Sequence, residues 1–296
     1  MSSKETVLIT GENGALAKKL KNKLINLGYN IITYTSQKNL IKKNCYYWSY
    51  KNNIIDIESL KKCDHIFHLS GFSIIKPWTK GNKKLMFDSR VKTSDFLFKN
   101  CSENNINIKT FISASAIGIY DDNSEKEMCE DEKLGNSWIS NLAKQWESSS
   151  LNFNKIGARV INLRISLLID KGSGFLKKML PLLKIGIVPI VGKSHNRFEY
   201  IDIDDAVNFC IKSIDNSKIE GPYNLATNKK STQIVFMKKV ANLFNKRFLI
   251  IKLPDILMKI ILGKRFKIIN SGIKVSSKKI VNTGFKFQEI KNIINK

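Results

Sequence analysis

The chain has 296 residues, room for two domains or one large α/β unit and too many for a single small module. Hydrophobic residues make up 43% and charged residues 25%, the mixture of a chain that folds around a sizeable core, which excludes general disorder. The 50 Lys and Arg against 25 Asp and Glu give a formal net charge of +25, but lysine is strewn along the whole chain with Asn and Ile; without an Arg-rich arm or a basic-aromatic block this is a solvated surface, and no specific nucleic-acid partner is expected.

No stretch reaches about 18 uninterrupted apolar residues, so no membrane-spanning helix and no membrane partner are expected. The greasiest segment, Phe248 to Leu262, is interrupted by Lys252, Pro254, Asp255 and Lys259. Met1 to Glu5 lead straight into an apolar run without the pattern of a secretory signal, so the mature chain is expected to begin here. Cys45, Cys63, Cys101, Cys129 and Cys210 are odd in number and scattered, which argues against a disulfide framework and a zinc site and for the cytoplasm.

In chain order, Thr6 to Thr10 is a short β-branched strand, and Ala15 to Leu27 a helix with Leu16, Leu20, Leu24 and Leu27 on one face. Strands follow at Asn30 to Tyr34 and Asp64 to Leu69, then one long helix from about Lys80 to Asn104 and a strand at Lys109 to Ala114. The pattern continues with a helix from Ser137 to Phe153 and a strand from Ala158 to Leu168. Such alternation predicts an α/β fold of Rossmann type, a doubly wound parallel sheet covered on both faces. Beyond about Gly172 the rhythm loosens: Phe175 to Leu183, Asp204 to Ile214 and Thr232 to Phe244 read as helices, Arg197 to Ile203 and Tyr223 to Ala226 as short strands. Residues 1–170 are therefore expected to form the nucleotide-binding domain, with room for later strands to join it, and residues 171–296 a small substrate-binding α/β region over the carboxyl ends of the parallel strands.

The strongest chemical signal is Thr10-Gly11-Glu12-Asn13-Gly14-Ala15-Leu16-Ala17, between the first strand and the first helix. Gly11 makes the tight turn, Gly14 lets a phosphate approach the backbone, and Ala17 permits close packing of helix on strand. The helix N-terminus then offers unpaired N–H groups and a favourable dipole to a pyrophosphate, assigning Gly11, Asn13, Gly14, Ala15 and Leu16 to a dinucleotide. After the second strand no acid awaits a ribose hydroxyl. Thr35, Ser36 and Lys38 instead suit a 2′-phosphate, so NADP(H) is expected, with NAD(H) as the alternative.

Further segments make the chain resemble the extended short-chain dehydrogenase/reductases. His68-Leu69-Ser70-Gly71 is similar to that superfamily's H-L-A-G turn. Trp78-Thr79 with Asp88-Ser89-Arg90-Val91-Lys92-Thr93, and Ile112-Ser113-Ala114-Ser115-Ala116-Ile117-Gly118-Ile119-Tyr120, resemble signatures of its epimerase-like subfamily, the NAD-dependent epimerase/dehydratase or short-chain dehydrogenase/reductase family 39U type. Leu163-Arg164-Ile165, Lys178-Met179-Leu180-Pro181 and Tyr200-Ile201-Asp202-Ile203-Asp204-Asp205 extend the likeness over the whole chain. The resemblance implies that Leu69, Ser70, Gly71, Arg90, Ser113 and Arg164 join the cofactor site, and that His68 belongs to a turn facing the cofactor.

The superfamily also implies a catalytic Tyr followed four residues later by Lys, the Tyr moving a proton. The corresponding helix here, Ser137-Trp138-Ile139-Ser140-Asn141-Leu142-Ala143-Lys144-Gln145-Trp146-Glu147, has no Tyr. The catalytic candidates are therefore Ser115, with Ser113 as its alternative, and Tyr120, which also matches a widespread structural position; Lys144 reads as a solvated helical lysine. His65, His68 and His195 show no metal or triad spacing, no metal site is expected, and Asp204 and Asp205 are expected to cap the helix that follows them.

These residues lead to an NADP(H)-binding, epimerase-like oxidoreductase acting at a carbinol or carbonyl carbon of a small substrate, with nucleotide-linked compounds among the candidates. The alternative keeps the fold without turnover, as a nucleotide-binding regulatory or scaffold protein. Polyanion binding driven by net charge ranks third, and the oligomeric state is not legible.

Overall fold

The structure, a computed structural model, describes residues 5–121, 126–192, 196–244 and 247–288; His195 and residues 289–296 of the expected second region lie outside them. Strand β1 (Thr6–Thr10) leads through the glycine turn into α1 (Ala15–Asn26), followed by β2 (Asn30–Thr35), β3 (Cys45–Tyr47), α2 (Ile57–Lys61) and β4 (His65–His68). After α3 (Lys80–Phe87) and α4 (Thr93–Glu103) come β5 (Thr110–Ala116), β6 (Glu127–Met128), α5 (Trp138–Leu151) and β7 (Arg159–Ile165). The remainder comprises β8 (Leu167–Asp170), α6 (Gly174–Lys184), β9 (Ile187–Val191), β10 (Tyr200–Asp202), α7 (Ile203–Asp215), β11 (Gly221–Leu225), α8 (Gln233–Asn242), β12 (Leu249–Leu253), α9 (Asp255–Leu262), α10 (Phe266–Ile269), β13 (Lys274–Val275) and α11 (Lys278–Asn282).

Seven strands form one parallel sheet in the order β11-β7-β5-β4-β1-β2-β3, the Rossmann-type α/β architecture the alternation predicts. Period-2 alternation divides its core. Val7 and Ile9 of β1 face α1 and α7 with Leu16, Leu20, Phe67, Val207 and Phe209, whereas Leu8 faces the opposite layer with Phe96, Leu97, Phe111 and Phe153. Both β11 and α7, from the last third of the chain, build this unit: β11 pairs with β7, and α7 packs on α1.

Three expected elements take a different form. The long helix from Lys80 to Asn104 is interrupted by a π-turn at Asp88–Lys92, which directs the Arg90 carbonyl toward His68 and sends the Arg90 guanidinium back over the β4–α3 loop. The strand expected through Leu168 stops at Ile165: the Ser166 hydroxyl donates to the Leu225 carbonyl (2.9 Å), and β8 leaves the sheet to pair with β10. The cap of α7 is Asp202, not Asp204 or Asp205, because its carboxylate accepts from the backbone N–H groups of both (2.9 and 3.4 Å). Asp204 instead pairs with Lys19 at 3.1 Å, and Asp205 accepts from the Gln288 N–H.

Candidate cofactor site

The sheet order reverses between β1 and β4, and the loops leaving these two strands meet there. Gly11 has φ +71°, and a Cβ on it would lie 2.7 Å from the Leu69 carbonyl oxygen and 2.9 Å from the Ser70 Cα. Only glycine fits this contact. The Gly14 N–H donates back to the Gly11 carbonyl at 2.9 Å, closing the turn, and Gly14 caps α1 without any side-chain acceptor. The first turn of α1 also carries no acid, so its N–H groups remain available to an anion. A Cβ at Gly14 would meet only the Gly11 oxygen, at 3.3 Å, so the space above it is open. This cradle of bare N–H groups, glycine backbone and free space fits a pyrophosphate.

The structure brings Gly11, Asn13, Gly14, Ala15, Leu69 and Ser70 to this crevice through adjacent loops, whereas the Leu16 side chain is buried in the core beneath α1 and offers the crevice only its backbone. Gly71 lies just beyond, where a Cβ would stand 3.1 Å from the Arg90 guanidinium carbon. Arg90 donates to the Phe72 and Met86 carbonyls (2.9 and 3.0 Å) and lies 4.9 Å over the Trp146 ring, so it clamps the loop after β4. Burial pulls its pKa down to about 10.

At the end of β2, the Thr35 hydroxyl accepts from the Gln37 N–H (3.2 Å), Ser36 is exposed, and the Lys38 ammonium lies 5.4 Å from the Tyr47 ring centre. A cavity of about 320 Å³ opens beside the glycine turn between α1 and the β2–β3 connection. Glu12, Asn13, Lys18, Lys21, Asn22, Leu40 and Lys42 line it. Lys18, Lys21 and Lys42 are cations near the turn that reading the end of β2 alone did not single out.

His68 does not face this crevice. It is fully buried between the sheet and the π-turn, its Nδ1 accepting from the Thr10 hydroxyl (2.9 Å) and its Nε2–H donating to the Arg90 carbonyl (3.2 Å). Loss of water holds its pKa down near 4, so it is neutral and pins the Arg90 turn to the sheet.

The strand registers place Ser113 opposite His68 and Ser115 opposite Arg164. Ser113 is buried and its hydroxyl donates to the Ala114 carbonyl at 3.0 Å. Ser115 donates to Glu147 of α5 at 2.7 Å. Arg164 grips the same carboxylate through Nε and Nη2, and its Nη1 reaches the Tyr120 hydroxyl and the Glu130 carbonyl, both at 2.7 Å. The Tyr120 hydroxyl in turn donates to Asn224 Oδ1 (2.8 Å), beside the Cys129 carbonyl. Burial pushes its pKa up to about 12. Arg164 and Tyr120 therefore spend their polar groups inside the protein, in a frame joining β5, α5, β7 and β11. Glu147 and Asn224 were missed as partners; the signal was an Arg in the apolar run Arg159–Ile165, which needs a buried acid.

Helix α5 (WISNLAKQWESSSL) contains no Tyr and begins at Trp138, its ring 5.1 Å from that of Trp78 and 4.7 Å beneath the Lys83 ammonium. Leu142, four residues on, is buried. Among the described residues no cluster of three or more His, Cys, Asp or Glu is placed to hold a metal.

Comparison with known proteins agrees with this geometry. The chain aligns with an epimerase family protein of Staphylococcus haemolyticus at 26% identity over 284 residues, covering 95% of this chain and 94% of the relative. An epimerase family protein of Mycobacterium leprae is 23% identical over 246 residues, 83% of this chain and 79% of the relative. Among solved structures, the human epimerase family protein SDR39U1 (isoform 2) with NADPH superposes with a TM-score of 0.86 at 20% identity, covering 98% of this chain and 99% of that one. UDP-N-acetylglucosamine 4-epimerase from Bacillus cereus gives 0.77 at 18% identity, with 98% and 94% covered. The model of the NAD dependent epimerase/dehydratase family matches residues 7–226, and with the glycine turn seated at the reversal of the sheet, the chain belongs to that family, within the extended short-chain dehydrogenase/reductases.

Proposed function

We infer that this protein binds NADP(H) and performs redox chemistry at a carbinol or carbonyl carbon of a small, nucleotide-linked substrate. The observation that carries the reading is the uncapped N-terminus of α1 behind Gly11 and Gly14, opposite the Leu69–Ser70 backbone. Lys18, Lys21 and Lys42 beside the turn support the phosphorylated cofactor, and the human relative's structure with NADPH agrees. NAD(H) is the weaker ligand. A bound nicotinamide would accept or supply hydride; this chain's residues bind it, shield it and handle the proton. The nucleotide-binding unit is residues 1–170 with β11 returning to its edge, and the later region binds substrate. Five free cysteines suit a cytoplasmic protein.

Ser115 is the residue we assign to the substrate's carbinol hydroxyl, because its own proton goes to Glu147 and its lone pairs remain to accept from that hydroxyl. Tyr120 positions Arg164 and is the second candidate. The competing reading, a nucleotide-binding regulator without turnover, is favoured by the absence of a proton-transferring Tyr from α5.

Thermal unfolding with each nucleotide tests the assignment. NADPH at 100 times its dissociation constant should add roughly 2.7 kcal/mol of stability, and NADH less at equal concentration. Equal shifts across a concentration series remove the selectivity, and no shift with either removes the cofactor. With NADP+ saturating, so that a carbinol carbon has a hydride acceptor, Ser115→Ala should abolish any turnover on nucleotide sugars; activity unchanged by that substitution removes Ser115 from the reaction.

A further inference from the structure

Two features of the sequence are not used by the nucleotide site: the greasy segment from Phe248 to Leu262 and the large positive charge. The segment itself carries part of that charge. Helix α9 reads DILMKIIL and has no buried residue; Ile256 is 74% and Ile260 76% exposed, with Leu257 and Ile261 also open to solvent. The strand before it, β12, is the exposed member of a two-stranded sheet, and Leu249 is 65% exposed. The Leu249 N–H donates to the Gly186 carbonyl, which sets the exposed Ile185 beside it and extends the apolar face to the end of α6. Scattered exposed leucines are ordinary, but an apolar strand running into an apolar helix, neither buried by the described residues, forms a patch that a soluble surface does not tolerate without use.

Charge indicates what covers it. Between Arg247 and Ile268 there are six cationic side chains (Arg247, Lys252, Lys259, Lys264, Arg265 and Lys267) and one carboxylate, Asp255. A second copy would bring the same six cations against these, on a chain that already carries +25. A neutral apolar partner would leave them without counter-charge. An anionic lipid surface satisfies both halves at once: the isoleucines enter the boundary between headgroups and acyl chains, and the lysines stay at headgroup level.

We propose that the β12–α9 face docks the protein on the surface of an anionic phospholipid membrane, peripherally and reversibly. No helix of the described residues is long and apolar enough to cross one, so the contact is with the surface. The nucleotide crevice is built by other elements, and its occupancy is independent of this docking.

The full chain is sedimented with vesicles of equal parts phosphatidylglycerol and phosphatidylcholine, and with vesicles of phosphatidylcholine alone, at about 0.15 M salt. It should bind the first and not the second. The paired substitutions Ile256→Glu and Ile260→Glu should lower binding to the anionic vesicles at least about tenfold. Leu151→Glu with Val281→Glu, the same charge change on exposed apolar residues of α5 and α11, should lower it far less. Circular dichroism and NADPH-induced thermal shifts report whether each variant is folded. Three results overturn the proposal: no binding to anionic vesicles, equal loss in both pairs, which is adsorption by net charge alone, or a dimer in sedimentation that Ile256→Glu with Ile260→Glu converts to monomer. A loss of NADPH binding in a folded Ile256→Glu, Ile260→Glu variant also overturns it, because the face then belongs to the crevice.

Discussion

Arg164 on β7 and Glu147 on α5 face each other through two nearly parallel N–H···O bonds of 2.9 Å, with both side chains almost fully buried. Taking two charges out of water is costly, and what offsets it here is complete satisfaction: Ser115 donates to Glu147, while Tyr120 and the Glu130 carbonyl accept from Arg164. Removing one charge strands the other. Glu147→Gln should therefore cost about 3–5 kcal/mol in urea unfolding, and the double variant Glu147→Leu, Arg164→Met less than the sum of its singles. Additive effects, or a Glu147→Gln cost below about 1 kcal/mol, would show that the pair does not hold the frame.

At the glycine turn, two substitutions should separate folding from binding. Gly11→Ala combines a positive φ with a Cβ pressed into the Leu69 carbonyl, so it should destabilise the fold itself by more than about 1 kcal/mol. Gly14→Val meets only the Gly11 carbonyl oxygen, at 3.3 Å, and keeps a negative φ, so it should lower the unfolding midpoint less than Gly11→Ala does and abolish the NADPH-induced shift. Gly172→Ala, where a Cβ makes only an ordinary 3.4 Å contact with Asp170, should change neither. If Gly14→Val binds NADPH normally, the cradle has been misplaced.

Stability should fall on the acid side through His68. Its folded pKa, about 4, lies below the ordinary 6.5, so between these values the unfolded chain binds more protons than the folded one. Its contribution is fully present above pH 6.5 and is lost as pH falls through 4, amounting to about 3 kcal/mol. His68→Asn, which removes the titrating ring, should flatten the stability profile between pH 6.5 and 4 relative to the unmodified protein. Parallel profiles for the two would place the acid sensitivity elsewhere.

Restoring the superfamily's Tyr and Lys spacing should not be neutral at both positions. Trp138 is half-buried against Trp78, so Trp138→Tyr should be tolerated with a loss of about 1 kcal/mol or less. Leu142 is buried, and Leu142→Lys would bring an ammonium into an apolar setting at a cost of several kcal/mol. Thermal midpoints of the two single variants compare them directly; a stable Leu142→Lys would mean that side chain can reach solvent.

Local pattern was enough to determine the Rossmann-type part of this fold. The β-branched run at Thr6–Thr10, the leucines of α1 and the glycines between them each state their preference within a few residues, and their order requires a parallel sheet. The absence of Tyr from α5 was equally legible, because it is a matter of residue identity. Tertiary structure alone decided what depends on partners far apart in the chain: that β11 returns to the edge of the first sheet, that the lone Arg164 of an apolar strand meets Glu147 from a helix, and that the Leu69 carbonyl rests against Gly11. It also decided the role of His68. The sequence shows a histidine next to a loop, but only packing on every side removes its water, fixes its proton on Nε2 and turns it inward to hold the π-turn. The same holds for α9: hydropathy reads its residues as material for a core, and whether anything in the chain comes to cover them is a property of the assembled fold.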